Sequence, residues 1–229
     1  MSEPRLNNHQ PRQADYPKAA VDVLIFSIRD LGLKIVLIKM KKPPFAGVWT
    51  LPGGLVRLNE SIDQAAVREL EEKTGLKNVY LEQLYTFGDV KRDPLSRVIS
   101  VAYFALINSE GISLQTTPKY SAIDWFNVKE LPTLVYDHSE MLKVALQRLR
   151  AKLQYTNVVY NLLPPTFTLG ELRRIYEIML DCQLDKRNFC KKFLSLGLLK
   201  STDLRREGPH RPAQLWSFKQ RTPTIVEIL

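Results

Sequence analysis

The feature that most constrains this chain is a set of fixed spacings between two glycines. After Gly54 come Glu60, then Arg68-Glu69-Leu70, then Glu72-Lys73, and the segment closes on Gly75-Leu76. Trp49-Thr50-Leu51-Pro52, just upstream, reads as a short strand running into Gly53-Gly54. Ser61 to Thr74 carries apolar residues at helical spacing, with Gly75 placed to end the helix. Strand, glycine loop and helix therefore follow one another directly. A helix turns about 100° per residue, so positions 69, 72 and 73 fall within one turn and share a face.

The flanking sequence supplies the rest of an α/β layer. Residues 21–28 and 34–40 are short β-branched runs separated by Asp30-Leu31-Gly32 and predict a hairpin. Further strands are expected over 79–87, 98–107 and 121–126, and a helix over 139–152. Asp137 is a natural N-cap for that helix, and His138 beside it reads as a packed or locally bonded side chain. Asn161-Leu162-Leu163-Pro164-Pro165 then breaks the pattern, because its prolines exclude helix and favour an extended connector.

With 229 residues the chain exceeds one typical domain. The expected division is a mobile polar arm over 1–17, an α/β domain over 18–155 and a second domain over 156–229. In the second, Thr168 with Glu171 forms a capping box for a helix through Leu180. After a turn at Asp181-Cys182-Gln183, a second helix over 185–196 buries Phe189, Phe193 and Leu196. Strands near 199–202 and 215–219 flank a basic loop over 205–211. Helix, turn, helix and basic hairpin in this order describe a winged helix-turn-helix.

Charge agrees with that division. The net charge is +9, and the segment after Arg150 holds 13 Lys and Arg against 7 Asp and Glu. An anionic partner is expected at the C-terminal end. No apolar run long enough for a membrane span and no leader pattern is present, so a cytoplasmic location without membrane attachment is expected. Cys182 and Cys190 lack the further ligands of a zinc site and read as reduced, buried thiols.

The segment from Gly54 to Leu76 resembles the Nudix box, G-x5-E-x7-R-E-U-x-E-E-x-G-U with U bulky and apolar; Gly54, Glu60, Arg68, Glu69, Leu70, Glu72, Gly75 and Leu76 all match. The resemblance implies a Nudix-type α/β/α sandwich. It also implies magnesium or manganese held by helix carboxylates against a nucleoside diphosphate, so that activated water attacks phosphorus. Here the last carboxylate is replaced by Lys73, an ammonium that repels a cation instead of ligating it. Unit charges 4 Å apart interact by about 4 kcal/mol at an effective dielectric of 20. Magnesium binding is therefore expected to be weak or absent, hydrolysis severely reduced, and no cofactor required. Glu71 points mostly away, at 200° from Glu69. Without metal, Arg68, Glu69 and Glu72 read as a solvated helix face with ion pairs.

A ligand pocket can outlast the chemistry. Residues 91–103 resemble the equivalent stretch of ADP-ribose-binding Nudix proteins, in which Arg92 and Arg97 would pair with a diphosphate. Asp93, Lys39 and Trp49 would complete the pocket, Trp49 offering an aromatic surface to adenine; the alternative is a basic loop and a core tryptophan. In the second domain, Lys186, Arg187 and Asn188 are placed to read base edges in the major groove. Lys191, Lys192, Arg205, Arg206, His210 and Arg211 are expected to hold phosphates.

The altered box, Asn161-Leu162-Leu163-Pro164 and the basic winged helix together resemble the NrtR-type Nudix-related regulators of NAD metabolism. That resemblance implies a homodimer bound to palindromic double-stranded operator DNA, repressing transcription until ADP-ribose releases it. Two alternatives stand beside it: an active Nudix ADP-ribose pyrophosphatase, and a regulator of sugar utilisation answering to a sugar effector. An RNA-binding role is disfavoured, since no aromatic stacking platform is evident.

Overall fold

The computed structural model describes residues 16–115, 117–207 and 212–228. The expected hairpin forms from β1 (Lys18–Arg29) and β2 (Gly32–Met40), with Arg29 facing Gly32. Its turn residues Asp30 and Leu31 both have positive φ, 47° and 61°, as a two-residue turn matched to strand twist requires. Next come β3 (Trp49–Thr50), β4 (Gly53–Leu55), α1 (Ile62–Thr74), β5 (Tyr80–Phe87), β6 (Val98–Leu106), β7 (Tyr120–Asn127) and α2 (His138–Tyr155).

The strands form one seven-stranded sheet ordered β3-β2-β1-β6-β5, with β4 paired to β1 and β7 to β2. β1 and β6 are parallel. Side chains alternate across this sheet, so each strand feeds two cores. Leu24 and Phe26 of β1, Ile35 and Leu37 of β2 and Phe104 of β6 pack with Met141, Leu149 and Leu153 of α2. On the other face Val21, Val23, Ile25, Val36 and Tyr103 pack with Ala65, Ala66 and Leu70 of α1. The result is the α/β/α sandwich expected from the box.

Local chemistry fixes the ends of α1. The Ser61 side chain accepts from the Gln64 N–H, and the Gln64 side chain accepts from the Ser61 N–H. Gly75 closes the helix at φ 74°, where a side chain would be strained. At α2 the expected cap is not made: Asp137 has no side-chain cap bond, because Arg92 takes its carboxylate instead.

The C-terminal part contains a 3-10 helix (Val158–Leu162), α3 (Leu169–Leu180), α4 (Lys186–Ser195), β8 (Leu199–Arg206) and β9 (Ala213–Phe218). The expected capping box of Thr168 and Glu171 is present. Three sequence expectations change here. Cys182 is exposed and Cys190 half-buried, where buried thiols are expected. The connector begins as a 3-10 turn rather than an extended strand, and Arg221 donates to the carbonyls of Tyr160, Leu163 and Pro164 where the prolines prevent a regular ladder. β8 runs to Arg206, so Arg205 and Arg206 lie on a strand paired with Gln214 and Ala213 rather than in a loop.

The apolar core does not stop at the connector. It continues from the α2 side of the sheet through Tyr160 and Phe167 to Tyr176, Phe189, Phe193 and Phe218. The tail returns to the end of α2, where Val226 and Ile228 N–H groups donate to the Tyr155 and Gln154 carbonyls. No helix among the described residues is long and apolar enough to cross a membrane.

Candidate functional site

Two adjoining cavities lie where β4 meets α1. The inner one, about 230 Å3, is lined by Asp22, Gly53, Lys73, Arg92, Asp93, Tyr136 and His138, among others. The outer one, about 530 Å3, shares Gly53, Gly54, Lys73 and Tyr120 with it and adds Lys41, Lys42, Arg57, Arg68, Glu69, Glu72 and Lys119. A larger groove of about 900 Å3 lies elsewhere, between the β1–β2 turn, α2 and α3, and includes none of the box residues.

The box helix directs its charged face into this cleft. Arg68 ties the motif together: its guanidinium binds Glu60 at 2.5 and 2.7 Å, Glu69 at 2.6 Å and the Leu55 carbonyl at 3.2 Å. This contact holds the Glu60 carboxyl down to about 2. Glu72 is taken up by Arg57 at 3.2 Å. Lys73 extends back across the helix to Glu69, 2.7 Å away, and donates to the Gly53 carbonyl while its ammonium stands 5.1 Å from the centre of the Tyr120 ring. Glu69 is buried rather than part of the solvated face expected for it, and Lys73 is buried beside it. Among the described residues, no group of three or more His, Cys, Asp or Glu side chains is placed to hold a metal ion.

Gly53 is required by this packing. A Cβ on Gly53 would collide with the Asp22 carboxylate and stand 2.5 Å from the Val21 carbonyl oxygen. A Cβ on Gly54 would collide with the Glu69 carboxylate.

The inner cavity is floored by a buried polar chain that sequence reading missed. His138 Nδ1 accepts from the Leu51 N–H at 3.2 Å, which puts the ring proton on Nε2, 3.5 Å from Asp22 Oδ1. Asp22 also accepts from Ser100 at 2.6 Å and faces Arg92 at 3.5 Å. Arg92 completes the chain with two bonds to Asp137 at 2.8 and 2.9 Å. Burial pushes the Asp22 carboxyl up, but His138, Ser100 and Arg92 outweigh it and hold the group below the usual carboxylate range. The sequence signal for Asp22 itself is an acid within the mostly apolar run 21–28.

The predicted ligand residues are not all brought together. Arg92 and Asp93 line the inner cavity. Arg97 folds onto the Gly88, Asp89 and Val98 carbonyls instead, and Ser96 faces the cavity. Trp49 packs edge-on against Phe126 at 4.5 Å and Lys39 lies over its ring, so both serve the sheet edge and line neither cavity. Lys41, Lys42, Lys119 and Arg57 of the outer cavity are cleft cations to which the sequence alone gives no pointer.

The second candidate surface is α4. Phe189 and Phe193 turn inward against Tyr176, leaving Lys186, Arg187, Asn188, Lys191 and Lys192 exposed. Asp185 caps the helix through the Asn188 N–H. Lys186, Arg187, Lys191 and Lys192 form no ion pair among the described residues, whereas Arg206 is paired with Glu171. Arg205 is exposed on β8; His210 and Arg211 lie outside the described residues.

Comparison with known proteins agrees with both halves. The NUDIX domain family matches residues 18–145, and the NrtR DNA-binding winged helix domain matches residues 159–218. A curated relative from Acinetobacter baylyi, named ADPR responsive transcriptional repressor NtrR, is 38% identical over 215 residues, covering 91% of this chain and 86% of its own. The chain belongs to the NrtR family. The crystal structure of Shewanella oneidensis NrtR complexed with a 27mer DNA superimposes with a TM-score of 0.77 at 32% identity, covering 88% of this chain and 93% of that one. A cocrystal structure of the NUDIX domain of the same NrtR, complexed with ADP ribose, gives a TM-score of 0.55 at 32% identity over 62% of this chain and 94% of that one. Fold class and family thus follow the sequence resemblance. In this NrtR-family chain the box arginine and Lys73 are joined to the box carboxylates by ion pairs.

Proposed function

We propose that this chain is a repressor of NAD-metabolism genes, with residues 18–155 sensing ADP-ribose and residues 156–229 binding operator DNA. It acts as a homodimer on a palindromic site and leaves the DNA when ADP-ribose occupies the cleft. The Nudix site no longer hydrolyses. The observation that carries this last point is the Lys73–Glu69 pair at 2.7 Å, which commits the box carboxylate to an ammonium. The donor set does not fit a divalent cation, since Glu60, Glu69 and Glu72 each have a cationic partner.

Arg92 and Asp93 face the ligand from the inner cavity, and the cations of the outer cavity supply charge to its diphosphate. Lys186, Arg187 and Asn188 meet base edges, while Lys191, Lys192, Arg205, Arg206, His210 and Arg211 meet phosphates. Release requires that ADP-ribose bind the free form more tightly than the DNA-bound form. The test is a gel shift on operator DNA titrated with ADP-ribose, NAD and arabinose in turn. Dissociation by ADP-ribose alone is the expected result, and magnesium-dependent AMP release at substantial turnover would contradict the loss of hydrolysis.

A further inference from the structure

We infer that the Lys73 ammonium is the built-in counter-ion of the cleft, so that the site takes its diphosphate as the free anion and not as a magnesium complex. This rests on the reading of the cleft as a nucleotide-diphosphate sensor and specifies the ionic form it senses. Lys73 is only 7% exposed, yet it lines both cavities, at the point where they join. Glu69, the Gly53 carbonyl and the Tyr120 ring fix its ammonium in place. A fixed charge needs no reorganisation when a ligand arrives, which is the electrostatic service that a bound metal supplies elsewhere.

The surrounding charges point the same way. The outer cavity is lined by six cationic side chains and two carboxylates, and both carboxylates are already paired. A metal ion entering here would have to displace Lys73 from Glu69 and then sit beside the ammonium it displaced. A phosphate oxygen entering the same space meets Lys73 and, further out, Lys41, Lys42 and Lys119. An excess of fixed positive charge favours the more negative species, and a diphosphate without its magnesium is that species.

Calorimetry on the full chain tests this with two probes, ADP-ribose and inorganic pyrophosphate, each in excess EDTA and in excess magnesium. ADP-ribose should bind in EDTA at least as tightly as in magnesium, and magnesium alone should give no heat of binding. Lys73→Met should weaken binding in EDTA by about tenfold, the scale of one charge-assisted hydrogen bond, and Lys73→Arg should retain most of it. Lys73→Glu should make binding depend on magnesium, a readout that simple misfolding would not produce. Binding by wild-type protein that is tenfold or more weaker in EDTA than in magnesium would overturn the inference. Pyrophosphate binding in EDTA without ADP-ribose binding would retain the counter-ion and discard the effector; no binding of either probe in EDTA would discard the counter-ion.

Discussion

Asp22 shows how one buried polar residue serves both stability and the cleft. Its carboxylate joins β1 to β6 through Ser100, to α2 through His138 and to the β5–β6 connection through Arg92. Because its folded pKa lies below the ordinary value of 3.8, its contribution to stability is present above about pH 4 and is lost as pH falls through the folded value. Asp22→Asn should therefore flatten the acid side of the stability curve. Denaturant midpoints for mutant and parent, measured from neutral pH down to pH 3, should converge as the medium becomes more acidic. Gly53→Ala should cost about 1–3 kcal/mol in the same measurement, because the new methyl meets a backbone oxygen that cannot rotate away. An unchanged midpoint would show that β4 can move off β1. The box was legible at this scale because its residues carry their spacing with them. The Asp22 network was not, since its members lie far apart in sequence and meet only when β1, β6 and α2 are packed.

At the scale of elements, α4 illustrates what periodicity can and cannot reveal. Phe189 and Phe193, four residues apart, define one buried face, and the positive residues occupy the remainder. Arg187→Ala should weaken operator binding and relax its sequence preference, whereas Lys191→Ala should weaken binding to every DNA alike. For Lys191→Ala the slope of log affinity against log salt should become shallower by about 0.9, the value for one lost phosphate contact. Unchanged slope and affinity would remove Lys191 from the interface. Helices and strands were legible because their caps and alternations are local: Thr168 with Glu171, Gly75, and Asp30-Leu31 between two apolar runs. Trp49 and Arg97 line neither cavity, which the sequence alone does not reveal. An aromatic ring or a guanidinium has the same composition whether it faces a ligand or is consumed by Phe126 or by loop carbonyls.

For the whole molecule, the decisive fact is that one apolar core runs from Leu24 to Phe218, with α2 along its length. The first turn of α2 carries His138, beside Asp137 at the cleft, and its last turn receives the chain tail through Tyr155. Eighteen residues at about 1.5 Å each make α2 a rod roughly 27 Å long, with its N-terminal end at the cleft and its C-terminal end against the 3-10 helix and the chain tail. Arg150 adds a bond to the Met179 carbonyl of α3, and Lys129 pairs with Asp181 at 2.6 Å. Two units that share a core and a rod in this way should not unfold separately. Calorimetry should give a single cooperative transition whose van't Hoff and measured enthalpies agree. ADP-ribose at a hundredfold excess over its Kd should stabilise that whole transition by about 2.7 kcal/mol. The same ligand should slow amide exchange in α3 and α4 as well as in α1, because opening the winged helix would then require breaking the core that the ligand stabilises. Two transitions, with only the first shifted by ligand, would mean that the core is divided near the 3-10 turn and that the cleft communicates with DNA by another route.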